Sequence, residues 1–190
     1  MRYFSPADVP SGVQTVVTLG KFDAVHIGHQ ALLKQVRDAA KAAGLQSAAV
    51  IMDRNPLLIL RPELEVKPDL ITNDRKSELI DEIGIDIQLQ LEVTKELLSM
   101  EPEDFVKEIY VDTLGAKYAV VSENSRFGKR ARGDINLLRE IGPELGFEVI
   151  PDELIYVDGQ RASSSTIRNL IDSGDLEAAE RMLGRSLAEL

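Results

Sequence analysis

The chain has no cysteine. That excludes disulfides, thiolate metal centres and a cysteine nucleophile, and it fits a reducing, cytoplasmic setting. No run approaches the roughly 18 apolar residues that suggest a membrane span. The first residues include Asp8 and lack the basic-then-apolar pattern of a leader. Positive charge is also short, with 22 Lys and Arg against 32 Asp and Glu and a net charge of −10. A nucleic-acid binder normally presents a basic surface, so neither nucleic acid nor membrane is an expected partner. No internal repeat or low-complexity linker breaks the chain. Its 190 residues, 44% of them hydrophobic, suit one domain spanning 1–190.

Short apolar runs alternate with longer stretches of helical period. Residues 15–19 are a β-branched run ending at Gly20. Residues 28–43 place apolar side chains at 32, 36, 39, 40 and 43, the spacing of a helix face. Residues 47–52 and 116–121 read as buried strands, 86–91 as a strand with one wetter face, and 147–150 as a short last strand. Helices are expected over 71–83, with Asn73 or Asp74 near the start, and over 102–114, where Pro102 suits a first turn. A further helix is expected over 135–145, although Gly142-Pro143 should interrupt it. Two closing helices, 163–173 and 176–183, are each followed by glycine. Residues 54–68 form the expected long loop. The alternation predicts an α/β, Rossmann-like domain, a mainly parallel sheet with helices on both faces. Ligands should bind beyond the carboxyl ends of its strands, near the reversal of strand order.

Both histidines fall in one segment, Gly20-Lys-Phe-Asp-Ala-Val-His-Ile-Gly-His29, between the first expected strand and the first expected helix. Three residues apart, His26 and His29 can share one side of a helix entrance. A helix start offers unpaired N–H groups and a positive dipole end, which suit anions. Gly28 removes a side chain where a phosphate must approach the backbone, and Gly20 lets the chain turn. A zinc site would need a third ligand that no cysteine supplies; Asp23 could supply it, but equally suits hydrogen bonding about the turn. No metal site built from protein groups alone is expected. Further on, Ser163-Ser-Ser165 before an apolar helix is an N-cap signal, which is also the purely structural reading of those serines. Arg168 lies about one turn later, within reach of a phosphate oxygen. Arg126, Lys129, Arg130 and Arg132 crowd one short segment, as either a phosphate-gathering patch or a solvated loop.

These residues carry a resemblance. The segment ending at His29 resembles the Phe-Asp-x-x-His-x-Gly-His signature of the nucleotidyltransferase superfamily. Val120-Val-Ser-Glu-Asn-Ser-Arg-Phe-Gly128 with Gly133-Asp134 resembles the glycine-rich loop of bacterial FAD synthetases. Arg161-Ala-Ser-Ser-Ser-Thr-Ile-Arg168 resembles their Ser-Ser-x-x-x-Arg element, and Gly174-Asp175 with Leu183-Gly-Arg185 the close of their N-terminal module. The resemblance runs from about Val16 to Arg185. It points to the FMN adenylyltransferase module of the bifunctional riboflavin kinase/FAD synthetase family.

What the resemblance implies is transfer of AMP from ATP to FMN, giving FAD and pyrophosphate, with Mg²⁺ accompanying ATP. By the same resemblance, His26, His29, Asn124 and Arg168 serve the chemistry. Gly20, Phe22, Asp23, His26, Gly28, His29, Arg161, Ser163, Ser164 and Arg168 hold ATP. Asp53, Asn55, Pro56, Asn124 and Arg126 face the flavin.

The chain departs from the family pattern in four places. Lys21 and Ala24 stand where the signature usually has Asn and Gly. Met52-Asp-Arg-Asn-Pro56 replaces Phe-Asp/Glu-Pro-His-Pro, and Ser125 replaces an aromatic residue. The riboflavin kinase barrel is expected to be absent after Leu-Gly-Arg. Three readings follow: an FMN adenylyltransferase, a nucleotidyltransferase with another phosphorylated acceptor, or a non-catalytic flavin- or nucleotide-binding protein.

Overall fold

The computed structural model describes residues 1–152 and 154–190. Six strands, β1 (Arg2–Tyr3), β2 (Thr15–Gly20), β3 (Gln46–Met52), β4 (Ile87–Leu91), β5 (Ala116–Ser122) and β6 (Glu148–Asp152), form one sheet in the order β1-β4-β3-β2-β5-β6. Every pairing in it is parallel. A separate antiparallel hairpin joins β7 (Tyr156–Val157) and β8 (Gln160–Arg161). The helices are α1 (Ile27–Ala43), α2 (Leu57–Leu60), α3 (Asn73–Ile83), α4 (Lys95–Ser99), α5 (Pro102–Phe105), α6 (Ile135–Leu145), α7 (Ser164–Ser173) and α8 (Leu176–Leu183). This is the expected α/β architecture. Among the described residues no helix is long and apolar enough to cross a membrane.

Strand alternation builds two cores. Val17, Ala48, Val50 and Leu89 face one side and meet Phe105, Ile109, Tyr110, Leu138 and Phe147. Val16, Ala49, Ile51 and Val120 face the other and meet Leu33, Val36 and Ile80 of α1 and α3. Burying a side chain such as Leu33 stabilises the fold by roughly 1.5–3 kcal/mol. The strand order reverses beside β2, whose neighbours are β3 and β5. The carboxyl ends of β2 and β5, at Gly20 and Ser122, therefore flank the cleft where an open α/β sheet binds ligands.

The structure refines several local expectations. The wetter face expected over 86–91 is present at exposed Asp86 and half-buried Gln90 but closes at Gln88. Gln88 is fully buried and its amide donates to the Ser77 carbonyl at 3.0 Å and to Asp81 Oδ1 at 2.6 Å. Pro143 does not interrupt α6. It is exposed near the helix end, and the carbonyl it leaves without a donor belongs to exposed Arg139, which water can reach. The 102–114 helix widens from α5 into a π-type helix over Val106–Thr113. α3 begins at Asn73, as expected, and is capped by Thr72, whose hydroxyl accepts the Arg75 N–H at 3.2 Å.

Candidate active site

β2 ends at Gly20, and the Phe22 ring folds back over that glycine. A Cβ there would lie 2.8 Å from Phe22 Cζ. Phe22, Ala24 and Val25 then take φ of 52°, 69° and 42°. Left-handed backbone costs a non-glycine residue roughly 1–2 kcal/mol. Ala24 carries this strain where the resembling signature has glycine. The turn is held from outside. Asp23 Oδ1 accepts the Leu70 N–H at 2.8 Å and Oδ2 accepts from Arg168 Nη2 at 2.7 Å, while the Asp23 carbonyl accepts from Ser164 Oγ at 2.8 Å. Lys21 lies between Asp69, with which it pairs, and Asp23 at 3.8 Å.

His26 caps α1 through Nδ1, which accepts the His29 N–H at 3.3 Å. With Nδ1 as acceptor, the neutral ring carries its proton on Nε2. The two imidazoles stack with centroids 3.7 Å apart, and the Phe22 ring meets His29 edge-on at 5.3 Å. Burial pushes the His26 pKa down to about 4; Asp23 opposes this, while Arg161 and Arg185 reinforce it. Burial first, then His26 and Lys76, hold His29 well below 6.5. Both rings are therefore neutral at pH 7. His29 Nδ1 is buried without a hydrogen-bond partner among the described residues.

Two cavities meet at these rings. The first, of about 250 Å³, is lined by His26, Gly28, His29, Leu32, Ser122, Asn124, Asp152, Leu154, Ile155, Arg161, Ala162 and Ser163 to Ser165. The first turns of α1 and α7 both border it. In α7, Ser163 Oγ accepts the Thr166 N–H at 3.1 Å, and helix geometry leaves the Ser164 and Ser165 N–H groups without intrahelical acceptors. Two positive helix ends, two neutral imidazoles and Arg161 thus surround one space, an arrangement suited to a polyanion. The second cavity, of about 310 Å³, is lined by Leu19 to Phe22, His29, Leu32, Met52, Pro56, Ser122, Asn124, Ser125 and Arg126. His29, Leu32, Ser122 and Asn124 are common to both.

Of the residues assigned to ATP by resemblance, His26, Gly28, His29, Arg161, Ser163 and Ser164 line the first cavity, while Gly20 and Phe22 line the second. Asp23 and Arg168 line neither. Their side chains are paired beneath the turn, and Arg168 also donates to the Pro68 carbonyl at 2.7 Å. Of the flavin set, Pro56, Asn124 and Arg126 line the second cavity. Asp53 points elsewhere: Oδ1 accepts the Val93 N–H at 2.9 Å and Oδ2 pairs with Arg54 at 2.7 Å. Asn55 accepts the Leu57 N–H at 3.0 Å and borders a side cleft with Lys21 and Arg168. The basic cluster disperses, because Lys129 and Arg132 pair with Glu101 at 2.5 and 3.2 Å and only Arg126 of the four borders the second cavity.

Sequence reasoning missed Ser122 and Asp152. They are register partners at the ends of β5 and β6, joined by a 2.8 Å hydrogen bond from Ser122 Oγ, and both line the first cavity. The strand-end rule could have found them. It also missed Lys76, fully buried, whose ammonium donates to Asn73 Oδ1 at 2.9 Å. Nothing in an amphipathic helix pattern marks a lysine as buried.

Comparison with known proteins decides between families. The FAD synthetase family model matches residues 10–166. The chain belongs to the FAD synthetase family. Among its relatives is the bifunctional riboflavin kinase/FMN adenylyltransferase of Pseudomonas fluorescens, 35% identical over 170 residues, covering 90% of this chain and 54% of the relative. The protein of the same description from Escherichia coli (strain K12) is 29% identical over 174 residues, covering 91% and 55%. The chain thus spans about half the length of the curated relatives it matches. In fold, this FAD synthetase family member is similar to a Streptococcus pneumoniae structure described as a macrolide-efflux protein, with TM-score 0.82, 21% identity, and coverage of 98% of this chain and 60% of the other. It is also similar to pantothenate synthetase of Thermus thermophilus, with TM-score 0.52, 19% identity and coverage of 96% and 81%.

Proposed function

We propose that the chain, as one domain over 1–190, transfers AMP from ATP to FMN, giving FAD and pyrophosphate, and does so in the cytoplasm. One observation carries this reading beyond family membership: the anion-suited cavity and the less polar one share His29 and Asn124 as a common wall. A nucleotide in the first and a flavin phosphate entering from the second would meet there.

An oxygen of the FMN phosphate attacks the α-phosphorus of ATP, the bond from that phosphorus to the β-bridging oxygen breaks, and pyrophosphate leaves. The nucleophile is already an anion, so no strong base is needed. The helix ends at Gly28 and Ser164, the Nε2–H of His26, the His29 ring and Arg161 bind and orient the triphosphate and offset the charge growing on the leaving group. Asp23 and Arg168 act from beneath, fixing the turn that presents His26. Pro56, Asn124 and Arg126 border the acceptor side. Among the described residues no three His, Asp or Glu gather to hold a metal. The oxygens of Asn124 and Asp152 in the nucleotide cavity suit a hard cation that takes most of its ligands from phosphate and water. When bound with ATP, Mg²⁺ would neutralise phosphate charge.

A second reading, the same transfer to another phosphorylated acceptor, is favoured by the flavin-side loop. There Asp53 and Asn55 are spent on backbone N–H groups, and of the Met52–Pro56 segment Met52 and Pro56 line the cavity. Incubation of the purified chain with ATP or CTP against FMN and a panel of phosphorylated acceptors separates the readings. FAD formed only from ATP and FMN supports the first. Turnover of a different acceptor with FMN inert would replace it with the second. Ligand binding without turnover of any acceptor would leave a binding protein.

A further inference from the structure

The turn that carries His26 has one internal backbone bond, from the Val25 N–H to the Phe22 carbonyl at 3.1 Å, and leans on distant side chains for the rest. Phe22, Ala24 and Val25 sit at positive φ, and all three are buried. The carbonyls of Ala24 and Val25 both accept from a single side chain 160 positions beyond Val25. Arg185 Nη2 donates to Ala24 O, and Arg185 Nη1 donates to Val25 O at 3.1 Å. Nη1 also reaches Leu183 O at 3.5 Å. Gln30, on the first turns of α1, spans the same junction, donating at 2.9 Å to both Val25 O and Leu183 O. Arg185 Nε is buried without a partner among the described residues, so the guanidinium is committed to the turn even with one donor left idle. Gly184, at φ 73°, lets this segment press on α1: a Cβ there would lie 2.7 Å from Ile27 Cγ2. Arg185 lies outside the 10–166 span matched by the family model.

We propose that Arg185 is a positioning residue for the nucleotide site, a planar two-pronged clamp that holds the strained 22–25 turn so that His26 presents Nε2 to the triphosphate. The inference rests on the reading of the first cavity as the ATP site. A lysine cannot replace it, because a single ammonium lacks the flat fork that reaches two successive carbonyls.

Arg185→Lys and Arg185→Met are the test. A displaced His26 lowers kcat by about 10- to 100-fold, as small misplacements of a site do, while KM for ATP moves less than about threefold by the same logic of lost transition-state contacts. A second readout needs no catalysis. The chain has two histidines, so their ring NMR signals can be followed individually through a pH titration. In the wild type His26 titrates near 4, under burial with Asp23, Arg161 and Arg185 as its charged neighbours. In Arg185→Lys, which keeps the charge, it moves toward 6.5 as the ring loosens; in Arg185→Met the lost charge adds to the rise. Gln30→Leu, which removes the neighbouring contact, shows the same changes in smaller measure. Should Arg185→Met fail to fold, Arg185→Lys decides. Wild-type kcat and an unmoved His26 titration in Arg185→Lys, with only a lower melting temperature, would overturn the proposal. ATP-induced shifts of the two ring signals in the wild type test the underlying ATP reading separately. Their absence removes that reading, and with it the proposal, even if the variants loosen His26.

Discussion

Gly28→Ala sets two effects against each other. Gly28 is the second residue of α1, where alanine is intrinsically better than glycine by about 0.5–1 kcal/mol. The new Cβ, however, would lie 3.2 Å from both Cε1 and Nδ1 of His26 and 3.7 Å from Ala162 Cβ. The ring must give by a few tenths of an ångström, which stretches the 3.3 Å cap bond from the His29 N–H to His26 Nδ1. Loss of such a cap costs about 1 kcal/mol. The two terms nearly cancel. At roughly 2–4 °C per kcal/mol for a chain of this size, the melting temperature should stay within about 3 °C of wild type. The site gains no such compensation. The methyl occupies space where a phosphate approaches the backbone, and His26 is pushed off its position. The rate should fall by about 10². Thermal melts beside steady-state FAD synthesis check this. A variant with near-normal kcat/KM would refute the phosphate-cradle argument, and one that melts far below wild type would show that the histidine packing is structural first.

His29→Ala should lower kcat by on the order of 10²–10³ while ATP affinity falls less, because the lost donor faces charge that grows as pyrophosphate leaves; near-normal kcat in a destabilised protein would end that reading. Acid should destabilise the fold in a histidine-dependent window. His26 titrates near 4 when folded and near 6.5 when unfolded, so the unfolded state takes up its proton first as pH falls. The contribution is intact above about 6.5, is reduced by about 2 kcal/mol at pH 5 and by about 3 kcal/mol near pH 4. His29 acts in the same direction. Urea unfolding between pH 7 and 5 checks the slope, which His26→Gln should flatten. Gly115→Ala serves as a contrast remote from the chemistry. Gly115 has φ 54° and a Cβ there would overlap the Val13 carbonyl oxygen, so stability should drop by about 3 kcal/mol with kcat per folded molecule unchanged.

The parts of this molecule legible in the sequence are those with local causes. A β-branched run marks β2, short apolar runs mark β3 and β5, and the helical period marks α1. A glycine between two histidines at a strand-to-helix turn marks an anion-binding start. What stayed hidden depends on partners distant in sequence. β1 is two residues long and carries no period. Gln88 looks like a wet position but is buried, with Ser77 and Asp81 accepting its amide N–H groups. Asp23 and Arg168 read as separate ligand contacts, yet the fold pairs them across 145 positions. Asp53 could be placed in the loop near the acceptor, but only the end of β4 shows that its carboxylate is drawn to the Val93 N–H. The Arg185 clamp joins residues 160 and 161 positions apart, beyond any local window of sequence.

The central claim is that the bond broken lies between the α- and β-phosphates of ATP and that FMN receives the adenylyl group. ATP labelled either at the α- or at the γ-phosphorus, incubated with FMN, Mg²⁺ and the purified chain, tests it in one assay. The account predicts that α-label appears in FAD, that γ-label appears in pyrophosphate, and that the two products form in equal amounts. Label from the γ-position in a flavin product, or α-label that never enters FAD while another acceptor takes it up, would contradict it.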